Sequence, residues 1–148
     1  MDENLIWDVR AFVYQYLAET TKPPHVDETA LCFGLTHEQA ASVYESLHQR
    51  HALFLQTRTH YILMANPFSG AETSFRVHAN NKTYFANCAW DSFGIPAALH
   101  VDAEIEAECA QSGEKIHLTV HSQDVQNEAG LVHFLVPFKN WYDDLAFT

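Results

Sequence analysis

The spacing of apolar residues changes period partway along this chain, and that change limits the fold more than any other feature. From Leu5 to Leu17, the residues Leu5, Ile6, Val9, Phe12, Val13, Tyr16 and Leu17 recur at the spacing of a helix with one buried face. Further on the period is two. Ala103, Ile105, Ala107 and Cys109 alternate with Glu104, Glu106 and Glu108, and Ile116, Leu118 and Val120 alternate with His117, Thr119 and His121. A period of two sends successive side chains to opposite faces of a strand. Helices followed by antiparallel strands imply an α+β fold.

In the first half, Lys22-Pro23-Pro24 ends the first helix. A short second helix is expected over Val26 to Phe33, with Gly34-Leu35-Thr36 as the turn after it. Thr36 fits an N-cap with Gln39 three residues on, the capping-box pattern, opening a third helix through about His51. Ala40, Val43, Tyr44 and Leu47 form its expected buried stripe, and Ala52–Leu55 with Thr59–Met64 predict a small hairpin. Leu5 to Met64 thus has the outline of a winged helix-turn-helix. Its third helix offers only Arg50 as a permanent cation against Glu38 and Glu45, in a chain of formal net charge −11. Nucleic-acid binding needs clustered Lys and Arg at the phosphates. A scaffold that packs against the second half is therefore expected, with no nucleic-acid partner.

Asn66-Pro67-Phe68-Ser69-Gly70 reads as a linker, dividing a scaffold domain over residues 1–66 from a sheet domain over 67–148. Phe75, Val77 and Tyr84 are assigned to a hairpin with Asn80-Asn81 at its turn. Ser112-Gly113 turns the chain between the two alternating strands. Leu131 to Val136, apolar except for His133, is expected as a central strand of a mostly antiparallel sheet that also carries short helices. No apolar run approaches the roughly 20 residues that cross a bilayer. The acidic start Met1-Asp2-Glu3-Asn4 lacks the features of a signal peptide. A cytoplasmic protein without a membrane partner is expected, and three cysteines without CxxC spacing fit free thiols in a reducing compartment.

The candidate chemistry lies in Tyr84-Phe85-Ala86-Asn87-Cys88-Ala89-Trp90-Asp91-Ser92-Phe93-Gly94-Ile95-Pro96. Asn87 is expected to cap a short helix with Cys88 in its first turn, where the helix dipole favours a thiolate. Asp91 falls on the same face, because residues three apart are neighbours on a helix. Gly94 and Pro96 are expected to end the element. Cys32 and the inward-facing Cys109 are expected in the core. His117, His121 and His133 show no HxH or HExxH spacing, so no histidine metal site is expected. The row Glu104, Glu106, Glu108 is expected to be a solvated sheet face.

These residues also carry a resemblance. The order of a winged helix, Asn66-Pro67-Phe68, Asn87-Cys88-Ala89-Trp90-Asp91 with Gly94-Ile95-Pro96, then Glu108-Cys109 and Gly113-Glu114 before a strand, resembles the organomercurial lyase (alkylmercury lyase) family. The resemblance spans nearly the whole chain and is specific from Tyr84 to Val120. It implies protonolysis of a carbon–mercury bond, with a winged helix that serves as scaffold. By resemblance, Cys88 is the catalytic cysteine, Asp91 the catalytic aspartate, and Cys109 a buried structural cysteine. The family also uses a second catalytic cysteine, which the resemblance places at or just after Thr148. No cysteine stands there in this sequence, so a truncated chain or a naturally short relative is expected.

The chemistry suits those residue types. Mercury is soft and prefers thiolate, so a low-pKa Cys88 is a suitable first ligand. A carboxyl kept partly protonated by an apolar pocket, with Trp90, Phe93, Phe85 and Ile95 as its candidate walls, can deliver the proton that the leaving carbon needs. Released Hg(II) would rest on Cys88 and Asp91 until external low-molecular-weight thiols took it away. No organic cofactor is expected, since mercury is substrate and product. The alternatives are a non-catalytic protein of the same fold that binds a soft metal or thiol-reactive ligand, and a metal-sensing winged-helix regulator.

Overall fold

The structure, a computed structural model, describes residues 2–126 and 130–143. Three helices come first: α1 (Glu3–Thr20), α2 (Val26–Phe33) and α3 (His37–Gln49). The caps follow from the sequence. Thr36 and Gln39 form the reciprocal capping box at α3, and Gly34 ends α2 in the left-handed conformation that a side chain would oppose. Ile6, Val9, Val13 and Leu17 of α1 meet Ala40, Val43, Tyr44 and Leu47 of α3 in one buried core. Arg50, which caps α3, is held by the Glu3 carboxylate, with Nη2 to Oε2 at 2.9 Å, so its charge is neutralised within the fold.

A small antiparallel sheet follows, in the order β1 (Phe54–Leu55), β2 (Ile62–Ala65), β3 (Phe68–Ser69). The segment expected as a linker is therefore a turn and a strand: Met64 pairs with Ser69 and Ala65 with Phe68. The physical reason is local. Phe68 is buried against Tyr84. Gly70 crosses so close to β2 that a methyl group on it would lie 2.1 Å from the Ile62 carbonyl oxygen. Glycine serves there for close approach, not for flexibility.

The larger sheet is antiparallel throughout, in the order β5 (Lys82–Phe85), β4 (Arg76–Ala79), β6 (Ala103–Glu108), β7 (Lys115–His121), β8 (Asp124–Gln126). Asn80 and Asn81 both have positive φ, the requirement of a tight two-residue hairpin turn. Val77, Ile105 and Val120 line its buried face. Glu104, Glu106 and Glu108 face outward, where Glu108 pairs with Lys115 at 2.6 Å and Glu106 approaches His78 at 3.4 Å. α4 (Ala89–Leu99) packs on β4 and β6. The helical region joins this sheet through Tyr84, whose hydroxyl donates to the Ala18 carbonyl at 2.7 Å.

The expected strand at Leu131–Val136 does not form. Residues 131–134 have no regular structure, Leu131 is 98% exposed, and the partner of β7 is β8 instead. A short unbroken apolar run carries no period of its own, and here Phe134 stacks on Trp141 beside the candidate site. Among the described residues, no helix is long and apolar enough to cross a membrane.

Candidate active site

The start of α4 differs from expectation by one residue. Cys88 itself is the N-cap, in extended conformation and without a side-chain capping bond, and Asn87 precedes it. Freed from capping, the Asn87 side chain turns toward the Asn66–Phe68 turn and Asp91. Its Nδ2 lies 3.0 Å from Asp91 Oδ2, 3.1 Å from Asn66 Oδ1 and 3.2 Å from the Phe68 carbonyl oxygen. Nor do Gly94 and Pro96 end the helix. It runs through both to Leu99 and stops at His100, whose φ of 55° is left-handed. Pro96 is buried within the last turns, so packing outweighs the donor that proline lacks.

Cys88 and Asp91 face the same half-buried cavity, about 70 Å³ in volume, together with Asn66, Asn87 and Met64. Its aromatic walls are Trp90, Phe134 and Trp141. Trp90 lies 6.2 Å from Phe134 between ring centres, and Phe134 stacks on Trp141 at 5.1 Å. Of the expected walls only Trp90 is present. Ile95 is core, and Phe93 lines a different cavity of about 410 Å³ between α4 and the sheet. Helical geometry explains this, since Trp90 neighbours Asp91 at the open end while Phe93 and Ile95 turn toward β4 and β6.

The electrostatics overturn one expectation and support another. Burial pushes the Cys88 thiol above its ordinary range. Backbone N–H groups of Asp91 and Trp90 favour the thiolate, but they do not offset burial and the neighbouring Asp91 charge. The low-pKa cysteine is therefore not found. Burial also raises the Asp91 carboxyl, against hydrogen bonds from Asn87 and Cys88 that lower it. Asp91 thus tends to keep its proton longer than a solvated aspartate.

The other cysteines also depart from expectation. Cys32 is exposed on α2. Cys109 lies just beyond β6, half-buried at the rim of the larger apolar cavity, and does not line the cavity of Cys88. Hydrogen bonds from the Ser112 side chain and from the backbone of Ser112 and Gln111 hold its thiol below the ordinary range. Cys109 still pairs across the turn, its N–H donating to the Glu114 carbonyl at 2.9 Å, and it faces the same cavity as Ile105 and Ala107, but the turn closed by Gly113 N on the Cys109 carbonyl at 2.8 Å leaves it at the rim and not in the core. No cluster of three or more His, Cys, Asp or Glu fit to hold a metal exists among the described residues. Thr148, at or just after which the resemblance places the second cysteine, lies outside the described residues.

Sequence reasoning missed the Asn66–Asn87 clamp and the Phe134 and Trp141 walls. The proximity of Asn66-Pro67 to Asn87 depends on the β2–β3 turn, and Phe134 and Trp141 reach the site across more than forty residues of sequence, so no local spacing announces them.

Comparison with known proteins agrees with this architecture. The family model described as MerB, alkylmercury lyase, matches residues 68–148. Among solved structures, the mercury-bound form of MerB2 superposes with a TM-score of 0.68 over 86% of this chain, at 21% sequence identity. The chain spans 60% of the length of that MerB2 chain. No curated protein matches. The matched region contains β4 to β8, α4, Cys88 and Asp91, more than half of the sequence, and the chain therefore belongs to the alkylmercury lyase family.

Proposed function

We propose that this protein cleaves the carbon–mercury bond of an organomercurial by protonolysis, with Cys88 as the mercury ligand and Asp91 as the proton donor. The observation that carries the reading is a carboxyl held toward its protonated form beside a thiol in one small cavity. Burial that raises a carboxyl pKa moves it toward the range in which it can serve as a general acid.

The Cys88 sulfur replaces the leaving ligand on R–Hg–X, and the thiol proton departs with X. Mercury's preference for sulfur drives this exchange despite the raised thiol pKa. A small thiolate from solution adds as a second sulfur ligand and weakens the carbon–mercury bond. Asp91 then gives its proton to carbon; the carbon–mercury electron pair becomes the new carbon–hydrogen bond, and R–H leaves. Mercury remains as Hg(II) on the two sulfurs beside the Asp91 carboxylate. A further thiol carries Hg(II) away, returning its proton to Cys88, while Asp91 regains a proton from solvent. No organic cofactor takes part. The helical region acts as scaffold for the part of the chain that carries Cys88 and Asp91, and Met64 and Asn66 reach from residues 1–66 into the cavity itself.

The test supplies methylmercury and an excess of a small thiol and measures methane in the headspace. Release by the wild-type protein, lost in Cys88→Ser and in Asp91→Asn, is the expected result. Tight binding of methylmercury at Cys88 with no methane would sink the lyase reading and leave a soft-metal binding protein.

A further inference from the structure

We propose that Asn87 is the positioning residue for Asp91: its side-chain amide holds Oδ2 as an acceptor, so that the proton to be delivered resides on Oδ1. For catalysis this rests on the lyase reading, while the geometry stands by itself.

The amide has two N–H bonds and is surrounded by acceptors. Asp91 Oδ2 lies at 3.0 Å, and Asn66 Oδ1 and the carbonyl oxygens of Phe68 and Pro67 lie at 3.1, 3.2 and 3.4 Å. One N–H therefore serves the acid and the other serves the turn. Turning the amide over would set its oxygen against four oxygens, so the donating orientation is forced. The arrangement has a cost. Asn87 Oδ1 is buried and accepts no hydrogen bond among the described residues, and an unmet buried acceptor is unfavourable. A residue needed only to anchor the turn could avoid that cost. Asn87 keeps it, in contact with the candidate proton donor, which is where such unmet groups call for a functional explanation.

The turn that receives the second N–H is itself fixed from α1. The Tyr14 hydroxyl donates to the Asn66 carbonyl at 3.0 Å and accepts from Arg10 Nη2 at 3.3 Å, and the Arg10 guanidinium lies 4.5 Å from the centre of the Tyr14 ring. A continuous chain of contacts thus runs from the scaffold helix through Asn66 and Asn87 to Asp91. A protonated carboxyl whose Oδ2 accepts from Asn87 carries its hydrogen on Oδ1. Donation from Asn87 also lowers the carboxyl pKa against the effect of burial, so the acid can release its proton when the carbon demands it.

Asn87→Leu removes the donor at nearly constant size. Methylmercury binding at Cys88 should change less than about threefold while single-turnover methane release falls on the order of 100-fold, as expected when a reacting group loses its alignment. Equal losses in binding and release, or no loss in either, would overturn the inference. A second measurement needs no turnover and no variant at position 87. In the mercury-free protein, the two Asn87 Nδ2 protons are followed by NMR. Asp91→Ala should shift one of them upfield and speed its exchange with solvent, leaving the other in place. If both stay unchanged in Asp91→Ala, Asn87 only anchors the turn and the inference fails, whether or not the protein releases hydrocarbon.

Discussion

Gly94 rests on Pro67 so closely that a methyl group on the glycine would lie 2.9 Å from the proline Cβ. This contact sets the distance between α4 and the turn whose carbonyls receive the Asn87 amide. In Gly94→Ala two effects oppose each other. Alanine favours a helix by about 1 kcal/mol, while forcing a methyl against a rigid ring costs roughly 1–3 kcal/mol. The clash should win, lowering the urea midpoint and weakening methylmercury retention at Cys88 together. A raised midpoint with unchanged retention would show that α4 shifts without harm.

Of the two partly buried thiols, Cys109 should react before Cys88, the proposed mercury ligand. Cys109 is held below the ordinary thiol range by its Ser112 and Gln111 hydrogen bonds, whereas burial lifts Cys88 above it. The thiolate is the reactive form. Iodoacetamide at neutral pH should therefore label Cys109 first, and the Cys88 rate should keep climbing past the ordinary thiol pKa of about 8.5. Peptide mapping by mass spectrometry at a series of pH values reads both rates. Faster labelling of Cys88 at neutral pH would mean that its thiolate is favoured after all.

Tyr44, at the centre of the helical core, donates to the Pro24 carbonyl at 3.2 Å and shares a 2.6 Å hydrogen bond with Thr29. Tyr44→Phe leaves both buried partners unmet and should destabilise the protein by about 1–3 kcal/mol. Burial pushes the Tyr44 phenol up to about 12. Unfolded tyrosine loses its proton near 10, so in that window the unfolded chain ionises while the folded one does not. Tyr44 therefore supports stability fully below the unfolded value, and that support is lost as pH rises through the folded value. Denaturant midpoints between neutral and alkaline pH should fall less steeply for Tyr44→Phe than for the wild type.

α2, the Thr36–Gln39 box, the Asn80–Asn81 turn and the alternation of β6 and β7 were readable because each depends on neighbours within four residues or on a strict period. The pairing of Cys88 with Asp91 was readable for the same reason. The end of α4 was not: Gly94 and Pro96 are local stop signals, but Gly94 is needed for contact with Pro67 and Pro96 is buried, so packing overrode them. Asn66–Gly70 misled likewise, since turn-forming residues mark both a linker and a tight turn between strands, and only the burial of Phe68 decides. Cys88's raised pKa escaped the helix-dipole argument because burial depends on Trp90, Phe134 and Trp141 closing the cavity, which the sequence near Cys88 does not reveal.

Asp91 should cost the protein stability at neutral pH, and its removal should show this. Its folded pKa is raised, chiefly by burial. Below the ordinary carboxylate pKa of about 3.9, folded and unfolded chains are both protonated at this position and nothing is lost. As pH rises past that value the unfolded chain releases its proton first, and stability declines until pH passes the folded pKa, beyond which the deficit is constant. Asp91→Asn keeps the shape and an oxygen that can accept from Asn87 Nδ2, yet it has no charge to desolvate. The variant should therefore match the wild type in denaturant midpoint at low pH and exceed it at neutral pH, while losing the proposed proton donor, an exchange of stability for activity. A wild-type protein that gains on Asp91→Asn as pH rises would instead place the carboxylate, not the acid, as the favoured form in the folded cavity, and would remove the proton donor from the mechanism.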